Sequence, residues 1–412
     1  MQSEIKLSRV VQTRKFERES TMTPVDRRTI HILHVVSGMV RGGAETWLMH
    51  VLRHIDRDRL RMDFLVHTTD PCAYDEEIRA LGSQIIPCPL HRWNLWSYAT
   101  NFKQILHEYG PYDVVHSHLH HFSGYILRLA RQAGVPCRIA HSHNDTSAQK
   151  AKTGLYRSLY YNITKRWISQ NATMGLGCSY QATTDLFGSA WKTDPRWQVF
   201  YCGIDPTPFQ QSVDAAVVRA EFKIPEDAFV IGHVGKFDQQ KNHQFLVDIA
   251  VECVQREPKM RLLLVGDGLL RPEIEAKVQK VGLVDHVIFA GVRPDVPQLM
   301  GSVMDVFLLP SLHEGLPLVL LEAQAAGLPC LFSDVITEEV KVVKPLMRQL
   351  SLSKSASIWA EAILAMQQVK SENNQAKAIM QIQQSPFNIQ AGCKELEKLY
   401  LEKSTYAIQN KP

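Results

Sequence analysis

The sequence predicts an α/β protein made of two doubly wound parallel sheets facing each other across a cleft. Three observations predict it. Strand-like and helical patterns alternate along nearly the whole chain, as βαβ units require. The alternation breaks near 204–226, where "GIDPTPF" and "KIPEDA" interrupt it, and then restarts. The length, 412 residues, exceeds what a single core organises. Two Rossmann-like halves place ligands at the carboxyl ends of their strands.

The elements follow in order. Residues 1–29 are charged, lack periodicity and read as a flexible extension. The first sheet takes strands from "TIHILHVVS", "RMDFLVHT", "SQIIPCP", "DVVHSH", "CRIAHSH", "ATMGLGCS" and "QVFYCG". Helical patterns such as "AETWLMHVLRHI" and "LWSYATNFKQILHEY" lie between them. The second sheet takes "DAFVIGHVG", "MRLLLVGDG", "HVIFAG", "DVFLLP" and "PCLFSD", with "HQFLVDIAVECVQ" as its first helix. The expected domains are 30–205 and 206–388. A terminal amphipathic helix and tail, 389–412, opens with "IQAGCKELEKLYLEK".

Bulk properties narrow the function. A net charge of +4 is too small to argue for nucleic acid. Its distribution says more: residues 1–210 carry +7 and the remainder −3. The first half is therefore expected to meet something anionic, a phosphorylated substrate or a membrane surface. The eight cysteines occur singly, with no C-x-x-C pair, which fits reduced thiols in a cytoplasmic protein. Residues 1–29 are charged and lack the apolar core of a signal peptide, and no run of 18 or more apolar residues is present to span a membrane. A cytoplasmic chain, at most peripheral on the inner face of a membrane, is the expectation.

The chemistry is expected at strand ends of the second half. "GHVGKFDQQKN" presents Gly232, Gly235, Lys236 and Lys241 just before a helix. Close backbone approach, two ammonium groups and a helix N-terminus together suit a diphosphate; a solvated loop is the plain alternative. "LLLVGDG" adds a weak G-x-G at the next strand end. In "SLHEGLPLVLLEAQAAG", Glu314 lies on the loop, Pro317 suits the first helical position and Glu322 falls inside an apolar helix. Amides near Gly315 and Leu316 are free to face an anion. Two carboxylates spaced this way match a nucleotide sugar, which has hydroxyls at both ends and a diphosphate between.

The Glu-x₇-Glu spacing, together with "RGGAE", "GIDPTPF", "GHVGKFDQQKN", "LLLVGDG" and "VIFAGVRPDVPQLM" in this order, resembles the retaining glycosyltransferases of family 4, which have the GT-B fold. The likeness spans about residues 30–405. "RIAHSHN" and "PLMRQLSL" bring it nearest to bacterial exopolysaccharide and capsule enzymes. It implies that 30–205 serves the acceptor and 206–388 the nucleotide-sugar donor. Glu314 would contact the donor sugar, Glu322 the ribose, and Lys236 and Lys241 the departing diphosphate. Gly42 and Gly43 would lie against the donor from the other domain, and His118 would face the transferred sugar. Lys236 stands where many members have arginine, so a point-charge contact replaces a bidentate one.

Three readings compete for the histidines of "HSHLHH": a zinc site, structural histidines and a sugar contact. No Cys or Glu nearby in the sequence completes a zinc set, and the resemblance favours the sugar contact. His141, His143 and Glu45 are read as the acceptor side. "GLYRSLYYNITKRWISQ" is read as an amphipathic helix with an aromatic core stripe, ahead of an interfacial helix.

The reading is thus a retaining hexosyltransferase. It would use a nucleoside diphosphate sugar, UDP-linked by expectation, and a lipid-linked saccharide acceptor, with neither metal nor cofactor and without nucleic acid. A nucleotide-sugar epimerase on the same fold, or a non-catalytic nucleotide-sugar-binding protein, are the alternatives.

Overall fold

The computed structural model describes residues 28–90, 94–146, 154–211, 213–367 and 373–409. Almost all of the expected N-terminal extension (1–27) and the last three residues lie outside the described residues.

The first sheet has seven parallel strands: β1 Ile30–Val36, β2 Leu60–Val66, β3 Ile85–Pro87, β4 Val114–Ser117, β5 Cys137–Ser142, β6 Met174–Gly177 and β7 Trp197–Val199. Their order is β3-β2-β1-β4-β5-β6-β7. The second has six: β8 Val230–Val234, β9 Arg261–Val265, β10 Val287–Gly291, β11 Val306–Leu309, β12 Cys330–Ser333 and β13 Met347–Leu350. Their order is β10-β9-β8-β11-β12-β13. Both are doubly wound, with the order reversing beside β1 and beside β8. Strand β13 was not among the expected strands; its "MRQL" is half-buried and polar enough to hide the pattern.

Both faces of the first sheet are covered, so its strands run nearly continuously apolar. Alternate residues feed opposite layers. Leu33, Leu65, Val115 and Ala140 pack with Phe102 and Ile126. Ile32, Phe64, Val114 and Ile139 pack with Trp47 and Leu48 of the helix Gly43–His54. This second face also carries His34 and His116, which are direct register partners on β1 and β4.

The terminal helix Ile389–Gln409 is no free appendage. It returns to the first domain, where Tyr400 is fully buried and Glu397 accepts a 2.8 Å hydrogen bond from the Asp56 amide. The two connecting segments meet in a parallel bridge between Ile204 and Asn388.

The helix Leu155–Asn171 departs from expectation. Thr164, Ile168 and Asn171 face inward, whereas Tyr156, Leu159, Tyr160 and Ile163 are exposed, Tyr156 at 93%. Its aromatic residues do not form a core stripe. Among the described residues, no helix is long and apolar enough to cross a membrane, and all eight cysteines are free thiols, seven of them buried.

Candidate active site

Two loops of the second sheet are stitched together at the carboxyl ends of neighbouring strands. The Leu312 amide donates to the Gln240 carbonyl at 2.8 Å. The Asn242 side chain donates to the Pro310 carbonyl at 3.1 Å. Asn242 caps the helix His243–Arg256 in the left-handed region, φ 57°, a conformation asparagine tolerates. This stitching sets Lys241 against Glu314. The Lys241 ammonium donates to Glu314 Oε1 at 2.6 Å and Gln240 donates to Oε2 at 2.9 Å. Glu314 is buried and Lys241 half-buried. A carboxylate with no cation or donor would be costly there.

The first domain closes against this cluster. A side chain at Gly315 would overlap the His143 carbonyl and the Asn144 backbone, so only glycine fits where the domains touch. Asn144 reaches across to Gln240 at 3.5 Å. Lys236 is exposed but near enough to Glu45 to favour that residue's ionised form. Burial acts the other way and is stronger, so Glu45 has a raised pKa. The Glu45 carboxylate lies against Gly42, where a side chain would displace it, while Gly43 faces open space.

Glu322 is the fifth residue of the helix Leu318–Ala325, about one turn from its first residue, Leu318. No hydrogen bond engages its carboxylate among the described residues, and burial pushes its pKa up to about 7. Pro317 lies just before this helix rather than at its first position.

Other glycines serve packing. Gly232 is buried in β8, and a side chain there would strike Met304, so it does not lie at a ligand. Gly235 lies beside the Lys241 stem, and Gly266 of the G-x-G fits only as glycine against the Gly235 carbonyl.

The histidines gather on the covered face of the first sheet. His118 approaches His34 Nδ1 through Nε2 at 3.0 Å and His143 Nε2 through Nδ1 at 2.8 Å. Both of its ring nitrogens are thus engaged by other histidines, and neither is turned to a sugar in this structure. His116 bonds Tyr400 at 2.8 Å and His141 Nδ1 at 3.2 Å. Burial lowers the pKa of all five, His34 and His143 to about 3, so they are neutral at pH 7.

Reading the sequence missed Gln240, Asn144 and Tyr400. Gln240 adjoins Lys241, and that adjacency was its one available signal. Tyr400 lies 284 residues from its partner His116.

Comparison with known proteins agrees with this architecture. Residues 41–207 match the model described as Glycosyltransferase Family 4, and residues 228–368 the model described as Glycosyl transferases group 1. The chain is 41% identical over 334 residues to EpsF of Bacillus subtilis (strain 168), a protein named as a glycosyltransferase, covering 81% of this chain and 86% of EpsF. It is 29% identical over 233 residues to an Escherichia coli UDP-Gal:alpha-D-GlcNAc-diphosphoundecaprenol alpha-1,3-galactosyltransferase, covering 54% and 58%. Among solved structures, Anabaena Alr3699/HepE in complex with UDP-glucose superposes with a TM-score of 0.68 at 18% identity, covering 93% of this chain and all of that one. Two matched domain models and a 41% identical relative spanning most of the chain lead to one assignment: the chain belongs to glycosyltransferase family 4, with the two-domain GT-B fold.

Proposed function

We propose that this glycosyltransferase moves a hexose from a UDP-sugar to a lipid-linked saccharide, with retention of anomeric configuration, in exopolysaccharide or capsule biosynthesis. The observation that carries the reading is the Glu314–Lys241–Gln240 cluster, set where the second sheet meets His143 and Asn144 of the first. The named activity of the Escherichia coli relative and the UDP-glucose in the Anabaena structure support the choice of donor and acceptor.

In this reading the diphosphate lies between Lys236, Lys241 and the amides near Gly315 and Leu316. Negative charge grows on it as the glycosidic bond breaks. The lysines and amides are aimed at that charge in advance and stabilise the transition state more than the ground state. Donor binding draws Lys241 toward the phosphate and frees Glu314 to accept from sugar hydroxyls. Glu322 accepts from the ribose hydroxyls. The acceptor hydroxyl enters on the face the diphosphate leaves, past Glu45, His141 and His143, which gives retention. His118 contacts the sugar once its ring is released by His34 or His143.

The first domain serves the acceptor and docks peripherally on anionic lipid. Its +7 half and the exposed Trp96, Tyr156, Leu159, Tyr160 and Ile163 support this.

The test is to incubate the protein with individual radiolabelled UDP-hexoses, with and without a diphosphoundecaprenol-linked sugar. Acceptor-dependent transfer of label supports the reading. Turnover of donor alone, with no label in lipid, favours an epimerase. Donor binding without turnover favours a non-catalytic binding protein.

A further inference from the structure

We infer that His118, His141 and His143 form a binding site for a divalent transition ion of the zinc class, with His34, His116 and Cys202 holding the three rings in ligating orientation. Along the sequence Cys202 stands 59 residues from His143. The fold brings Cys202 Sγ to 3.7 Å from His143 Nδ1.

One ring nitrogen from each of the three lies within 4.8 Å of the other two. Each ring's other nitrogen has an outer partner. His118 Nε2 meets His34, His141 Nδ1 meets His116, and His143 Nδ1 meets Cys202. This leaves His118 Nδ1, His143 Nε2 and His141 Nε2 as the ligating set. The pattern matches metal sites, where a ligating histidine is oriented through its second nitrogen. A second observation is independent of it. His141 is fully buried, and its Nε2 has no hydrogen-bond partner. A buried polar atom left alone is costly, and a metal satisfies it.

The dimensions agree. His118 Nδ1 and His143 Nε2 are 2.8 Å apart. Zinc–nitrogen bonds of about 2.0 Å at tetrahedral angles separate ligands by roughly 3.3 Å, so this pair needs to open by only about half an ångström. In the metal-free structure the 2.8 Å contact between His118 Nδ1 and His143 Nε2 holds a proton on one of the two; on binding that ring moves its proton to the nitrogen facing its outer partner, so each ring stays neutral and no net proton is released. His118 and His143 are only half-buried, which gives the ion entry from solvent. Three nitrogens with one open position is a known zinc arrangement.

The consequence for catalysis rests on the proposed function: an ion held by His118 and His143 occupies the side chains given to sugar and acceptor, so it inhibits. The experiment titrates the full chain, untagged and chelator-washed, with zinc chloride against a chromogenic zinc indicator. It also records the zinc K-edge spectrum. The expected result is one tightly bound zinc with three imidazole nitrogens. His143→Asn and His141→Gln should each weaken it by more than the 10–100-fold typical of losing an outer partner. His143 is half-buried, so its variant remains informative if His141→Gln does not fold. Failure to take up zinc, or unchanged uptake in a folded His143→Asn protein, overturns the site. In parallel, one equivalent of zinc should lower hexosyl transfer and a chelator should restore it. Zinc binding in a protein with no transferase activity keeps the site and refutes the proposed function. Transferase activity without zinc uptake does the reverse.

Discussion

The Lys241 ammonium lies 2.6 Å from Glu314 Oε1, and the two side chains expose only 16% and 7% of their surface. Breaking such a pair from one side leaves a buried charge without its partner, typically at about 3–5 kcal/mol. Lys241→Ala should therefore destabilise the fold and lower kcat by about 10²-fold or more, the scale for one preorganised electrostatic partner. Lys241→Arg should recover much of both. Thermal unfolding and steady-state rates at saturating donor measure this. Unchanged kcat in a folded Lys241→Ala protein would remove Lys241 from the leaving-group role.

Glu322 gives a prediction whose sign depends on pH. Its pKa is about 7 in the folded chain against an ordinary 4.5, because burial disfavours the charge. The folded state thus binds the proton more tightly than the unfolded state. The resulting penalty is absent below pH 4.5, grows as pH rises to 7 and is complete above it. Glu322→Gln should match the native protein at pH 4 and exceed it by up to about 3 kcal/mol at pH 8. At pH 8, where the native carboxylate is ionised, it should lose roughly 1–3 kcal/mol of UDP affinity, the worth of a hydrogen bond to a charged group. A variant that is more stable and binds UDP equally well would argue against the ribose role.

Chelation separates two kinds of electrostatic catalysis. If Lys236 and Lys241 carry the diphosphate charge, turnover should persist in excess EDTA and rise in any preparation carrying inhibitory zinc. Loss of turnover restored by magnesium or manganese would contradict this account.

Lipid docking should depend on both charge and apolar surface. Anionic vesicles should bind the protein at low salt and release it as salt shortens the range of electrostatic attraction. Replacing Trp96 and Tyr156 by serine should weaken binding without altering stability, because both side chains are almost fully exposed, at 88% and 93%. Equal binding to neutral vesicles would exclude the electrostatic part.

Much of this was legible in the sequence for a physical reason. Strands buried on both faces must be apolar, and glycine–lysine loops stand where strands end, so the two sheets and the Lys241 and Glu314 loops were visible locally. What was hidden depends on distant partners. His116 looked like a strand-end residue until Tyr400 arrived on the terminal helix. Gly232 resembled a ligand-approach glycine but makes room for Met304. The apolar residues of Leu155–Asn171 imply burial on composition, yet nothing among the described residues covers Tyr156 or Leu159. Periodicity shows which residues share a face, and not what that face meets.

The central claim is hexosyl transfer from a UDP-sugar with retention at the Glu314–Lys241 cluster. Proton NMR of the first-formed product tests it most directly, through the coupling between the anomeric proton and its neighbour. With a UDP-α-glucose or UDP-α-galactose donor, the account predicts the small coupling of an α-linkage. A large coupling, showing a β-linked product formed first, would contradict it.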